Sequence, residues 1–158
     1  TEDVFPSLKE RADISKAAQA DLFVSVHVNS APDPEADYVS VITQPGANDV
    51  SKTLQTNIAN AFNGVVQTKQ GIYSNADNAE QNLSVLRNQN ASTGAVLVEV
   101  GFITNPKQED LLNNPNYLKN IGNSIAEAIF KTAYPNAVKK LDIPPLPAPS
   151  VRSYIWQD

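Results

Sequence analysis

The sequence predicts an α/β layer fold, and three observations point to it. Two short apolar runs, residues 22–28 and 95–100, read as buried strands. Stretches with apolar residues at helical spacing alternate with them. The chain has 158 residues, 41% hydrophobic and 18% charged, enough apolar material for one core and too much for whole-chain disorder.

The elements follow in order. Residues 7–20 carry Leu8, Ile14, Ala17 and Ala18, and Ser7 with Glu10 three positions on forms a capping-box pattern, so a helix is expected. Asp21-Leu22-Phe23-Val24-Ser25-Val26-His27-Val28 is mostly apolar and β-branched, and it stops at Asn29-Ser30. Residues 38–43 form a second strand candidate, closed by Pro45-Gly46. Val50, Leu54, Ile58, Ala61 and Phe62 share one helical stripe that ends at Asn63-Gly64. Residues 67–90 are polar and asparagine-rich, so mostly loop with short elements is expected. Gly94-Ala95-Val96-Leu97-Val98-Glu99-Val100-Gly101 is the second clear buried strand. Asn105-Pro106 opens a short helix over 107–112, and residues 117–134 form a long one. After Pro135 the composition changes. Four of the 11 prolines fall within residues 144–149, which predicts a linker or surface strap over 135–158 beside a domain at 1–134.

Charge and composition narrow the function. The formal net charge is 12 − 17 = −5, which disfavours a nucleic-acid partner. No apolar run approaches 18 residues, so no membrane span is expected. With no cysteine and one histidine, thiol chemistry and multi-histidine metal sites built from this chain alone are excluded. The chain starts Thr1-Glu2-Asp3 without a Met, as a mature product or a fragment does.

Two residues stand out against this background. His27 ends a strand, where α/β sheets bind ligands, although a lone histidine is more often a satisfied structural one. Glu99 interrupts an otherwise apolar strand, where a carboxylate is costly unless paired, hydrogen-bonded or metal-bound. It could equally turn to solvent at a strand end, and pattern alone does not bring the two together.

Around these residues the chain resembles a known family. Arg11-Ala12-Asp13-Ile14-Ser15, then Ala20-Asp21-Leu22-Phe23-Val24-Ser25-Val26-His27-Val28-Asn29, is similar to the R-x-x-I-A-N…A-D-[LF]-[FL]-[IV]-S-[IL]-H-x-N pattern of the zinc-dependent N-acetylmuramoyl-L-alanine amidases. Leu97-Val98-Glu99-Val100-Gly101-Phe102-Ile103-Thr104-Asn105 resembles that family's L-[VI]-E-x-G-F-[IL]-[TS]-N, and Leu83-Ser84-Val85-Leu86-Arg87 its L-x-V-L-[RK]. The resemblance covers about residues 1–134.

It implies a mixed, mostly parallel sheet flanked by helices on both faces. It implies a peptidoglycan hydrolase, of the kind found in autolysins and phage endolysins. Such an enzyme cleaves the amide between N-acetylmuramic acid and L-alanine with zinc-bound water as nucleophile. On the matching positions, His27 is a zinc ligand, Glu99 the catalytic carboxylate, and Asn29 and Arg87 substrate contacts. The implied partner is peptidoglycan and the implied location the cell envelope.

The chain departs from the family in two places. The family opens with a strand ending in D-P-G-H-G and a Glu ligand on the next helix, and neither is here. An N-terminal segment or a second chain that completes the zinc site, a processed fragment, or a truncated non-catalytic cell-wall-binding or scaffold relative each accounts for this. Ala36-Asp37-Tyr38 stands where the family has G-x-E, so no carboxylate role is expected there. Some division amidases of the family carry a helix that plugs the metal site. Residues 43–82 offer one clear helix, whose stripe suits packing on the sheet, so an open site is expected.

Overall fold

The computed structural model describes residues 6–75 and 82–136. The proline-rich stretch expected as a linker or strap lies outside them beyond residue 136. The elements run α1 (Leu8–Ala17), β1 (Leu22–Asn29), β2 (Val39–Ile42), α2 (Asp49–Phe62), β3 (Ile72–Asn75), α3 (Ser84–Arg87), β4 (Gly94–Phe102), α4 (Pro106–Leu112) and α5 (Pro115–Ala133). Four strands form one sheet in the order β1-β4-β2-β3. β1 is parallel to β4 and β2 to β3, while β2 and β4 are antiparallel. The sheet is mixed and mostly parallel, as the resemblance implies. β3 lies in the stretch read as mostly loop. Only its four residues pair, too few for an alternating pattern to register in the sequence.

Alternation along the strands sorts the core into two sides. Val39, Val41, Val96, Val98 and Val100 face α2 and α5, where Leu54, Ile58, Phe62, Ile121, Ile125 and Ala128 meet them. The other face carries Ile42, Ala95 and Leu97, covered by Val85 and Leu86 of α3 with Phe23 and Leu83 alongside. α1 packs against α3 and closes that layer. Each fully buried Leu, Ile or Phe stabilises the fold by roughly 1.5–3 kcal/mol.

The helix starts follow from side-chain caps. The capping box of α1 is complete: Ser7 Oγ accepts from the Glu10 N–H, and Glu10 Oε2 accepts from the Ser7 N–H. Asn48 has a double task. Its Oδ1 accepts from the Ser51 N–H at 2.8 Å, and its Nδ2 donates to the carbonyls of Ala91 and Thr93 at 2.8 and 3.0 Å. It thereby ties the start of α2 to the turn that feeds β4. Asn48→Ala removes a cap and leaves two carbonyls short of a donor. It should cost about 1–2 kcal/mol, read as a lower denaturation midpoint with an unchanged slope.

β1 is the edge of the sheet among the described residues. Its outward-facing backbone has no strand beside it, and Val26 and Val28 are 53% and 47% exposed. α2 and α5 cover the valines of β4 on this side but stop short of these two.

Candidate active site

α3 covers only the lower rows of its face of the sheet. The upper rows stay open, and strand register builds them. His27 on β1 pairs with Glu99 on β4, Glu99 with Ser40 on β2, and Ser40 with Tyr73 on β3. Four side chains therefore form one row on one face, with adjacent strands about 4.8 Å apart. His27 and Glu99, 72 residues apart in sequence, stand side by side because β1 and β4 are parallel neighbours in register. A register shift between His27 and Asn29 ends the regular pairing just beyond them. The row opens into a cavity of about 580 Å³, also lined by Asn29, Tyr38, Ile42, Leu83, Ser84 and Leu97.

Glu99 is half-buried, and its Oε2 is enclosed without a hydrogen-bond partner. Burial pushes its carboxyl above the usual carboxylate range, and the neighbouring His27 partly opposes this. Ser25 Oγ lies 2.9 Å from His27 Nε2 and orients the imidazole. Asn29 Oδ1 accepts from the Ser30 N–H, and its carbonyl accepts from the Ile103 N–H, which joins the ends of β1 and β4.

The segment after Glu99 positions it. Gly101 has φ +151°, and a Cβ there would lie 2.5 Å from Gln108 Oε1. That oxygen accepts from the Phe102 N–H at 2.6 Å, and Gln108 Nε2 donates to the buried Asp37 carboxylate. Thr104 Oγ1 accepts from the Ala31 N–H, and Asn105 caps α4 through the N–H groups of Lys107 and Gln108. Asp37 belongs to this buried network and does not line the cavity.

Of the four residues singled out in the sequence, His27, Glu99 and Asn29 converge on the cavity. Arg87 does not line it. The residue is exposed, and its Nη1 donates to the carbonyl and Oδ1 of Asn82, both at 3.0 Å. Sequence reading passed over Ser25, Tyr38, Ser40 and Tyr73. The two-residue spacing to His27 could have found Ser25. Ser40 and Tyr73 enter through register between strands, which no local pattern encodes, and Tyr38, just before β2, joins them through its contact with Tyr73. α2 packs on the opposite face, so among the described residues no helix plugs the cavity.

The imidazole is a donor zinc accepts, and the orphaned carboxylate oxygen beside it suits proton transfer rather than ligation. A catalytic zinc takes three protein ligands. Among the described residues no three His, Cys, Asp or Glu side chains gather closely enough to hold a metal. They contribute part of a donor set and do not close it.

Comparison with known proteins agrees with this geometry. The family model described as N-acetylmuramoyl-L-alanine amidase matches residues 1–131. An endolysin of Bacillus phage SPP1 is 36% identical over 131 residues, covering 80% of this chain and 45% of that protein. The crystal structure of an N-acetylmuramoyl-L-alanine amidase from Clostridium difficile 630 superposes with a TM-score of 0.72 at 29% identity, over 87% of this chain and 69% of that one. The catalytic domain of CwlV, an N-acetylmuramoyl-L-alanine amidase from Bacillus (Paenibacillus) polymyxa var. colistinus, gives 0.70 at 26% identity, over 84% and 68%. The chain spans about half the length of the curated relatives it matches.

Proposed function

Because the chain belongs to the N-acetylmuramoyl-L-alanine amidase family, we propose that it hydrolyses the amide between the lactyl group of N-acetylmuramic acid and L-alanine in peptidoglycan. The pairing of His27 with an unpartnered Glu99 at the floor of an open cavity carries this reading. Glu99 is the base. Its carboxylate takes a proton from the attacking water and passes it to the leaving amine, and burial raises its pKa. His27 is a metal ligand, with Ser25 holding its ring. Zinc, where a full donor set holds it, supplies Lewis acidity and draws the pKa of water down towards neutrality. Asn29 at the rim contacts the substrate. Arg87, held by Asn82 outside the cavity, takes no part in this reading.

The ligands not found among the described residues come from an N-terminal segment or a second chain. The free edge of β1, with its uncovered Val26 and Val28, is where such a segment joins. A strand laid along it runs beside His27 at the usual strand spacing. The envelope is the place of action, as the cell-wall substrate requires. No described helix is long and apolar enough to cross a membrane.

The test is digestion of purified cell-wall sacculi by the whole protein. New free amino groups on L-alanine should appear without new reducing sugar ends, and a zinc chelator should abolish them. His27→Ala should lower bound zinc severalfold in elemental analysis while the fold persists. New reducing ends instead would make the protein a glycosidase. The open donor set favours a second reading, a non-catalytic cell-wall-binding relative of the same fold. Sacculus binding without amide cleavage, in protein loaded with zinc, would establish it.

A further inference from the structure

The row that begins with His27 and Glu99 does not end at the catalytic pair. It continues through Ser40 to Tyr73, two strands or about 10 Å from Glu99. Tyr73 is 47% exposed and faces the cavity. It is nonetheless rigidly mounted. Its ring meets Tyr38 edge-to-face with centroids 5.1 Å apart, and Tyr38 meets Phe102 in the same way at 4.6 Å. Phe102 is buried, and its N–H is held by Gln108 of the network beneath the site. An edge-to-face contact occupies at most one face of a ring, so Tyr73, which lines the cavity, keeps a flat apolar face free.

We propose that Tyr73, mounted on Tyr38, is the platform on which the pyranose ring of N-acetylmuramic acid lies, with Ser40 between it and Glu99 as a hydrogen-bonding partner for the sugar. This rests on the amidase reading above and adds the orientation of the substrate. Charge decides which half of the substrate goes here. Among the described residues, the cavity lining holds the Glu99 carboxylate and neither lysine nor arginine. A stem peptide bearing carboxylates gains nothing from such a wall. An uncharged ring with one apolar face and hydroxyls on its rim matches an aromatic face with a serine beside it. The lactyl ether sets the ring about one strand spacing from the scissile carbonyl, and the attacking water stands between that carbonyl and Glu99, which together span the two strands. The stem then leaves by the opposite side of Glu99.

Two substrates with the same scissile amide separate the possibilities: N-acetylmuramyl-L-alanyl-D-glutamate, and the D-lactoyl-L-alanyl-D-glutamate that lacks the sugar. In the whole zinc-loaded protein, Tyr73→Ala should lower kcat/KM on the first about 10-fold, chiefly through KM. It should leave the second unchanged, and Tyr73→Trp should restore the first. An equal loss on both substrates, or a loss on neither, overturns the proposal. Binding of the peptide-free disaccharide GlcNAc–MurNAc, followed by NMR, is independent of turnover. It should shift the Tyr73 ring resonances and vanish in Tyr73→Ala. Disaccharide binding at Tyr73 without amide cleavage would support the platform and sink the amidase reading. Cleavage with no Tyr73-dependent disaccharide binding would sink the platform alone.

Discussion

Glu99→Gln in the whole protein should slow release of L-alanine amino groups by about 10²–10⁴-fold, with bound zinc and fold retained. Gln keeps the shape of the side chain and a polar atom at the same place, but it cannot accept a proton. The same change should not weaken the fold. Burial raises the Glu99 pKa in the folded protein above its unfolded value. The ionised form therefore opposes folding at pH values above the unfolded pKa, and the penalty fades as pH falls into the carboxylate range. In metal-stripped protein, Glu99→Gln should accordingly be more stable than wild type at pH 7, with the difference closing in acid. Denaturation curves at the two pH values measure this. Full activity of Glu99→Gln on purified peptidoglycan would make the carboxylate structural and the assignment wrong.

Gly101→Ala should destabilise the protein by about 2–4 kcal/mol. Two causes act together. The backbone at Gly101 has φ +151°, a conformation L-residues avoid, and the added Cβ meets Gln108 Oε1. Gln108 cannot simply swing away, because it accepts from the Phe102 N–H and donates to Asp37 inside the fold. Moving it leaves a buried donor and a buried carboxylate unsatisfied. Gln108→Ala alone should also be costly, by that second route. Since both substitutions act through the same group, the double variant should cost clearly less than the sum of the two. Strict additivity would mean that strain at Gly101 acts alone and the contact with Gln108 carries no energy. The effect reaches the site as well, since Phe102 supports Tyr38. Variants that still fold should bind substrate less tightly.

Much of this protein was written in local sequence. Its helices are amphipathic stripes closed by side-chain caps, and the Ser7–Glu10 capping box and the Asn105-Pro106 start appear as read. Its buried strands are runs of β-branched residues, and Glu99 drew notice because a carboxylate in such a run needs a reason. The motif after it also has a physical reading: Gly101 for the backbone, Phe102 for the core, Thr104 and Asn105 for the loop and the next helix. What only the tertiary structure decided is which of these elements touch. Register across strands is a long-range property with a period of two, and nothing near Ser40 or Tyr73 in the chain says that they align with Glu99. β3 was too short to announce itself, yet it carries the aromatic end of the row. Arg87 matched a motif as well as His27 did, but helix geometry turned it to Asn82 and away from the cavity. Local propensity and burial are carried by neighbouring residues, whereas the site is assembled by pairings up to 72 residues apart. Only the folded sheet specifies those.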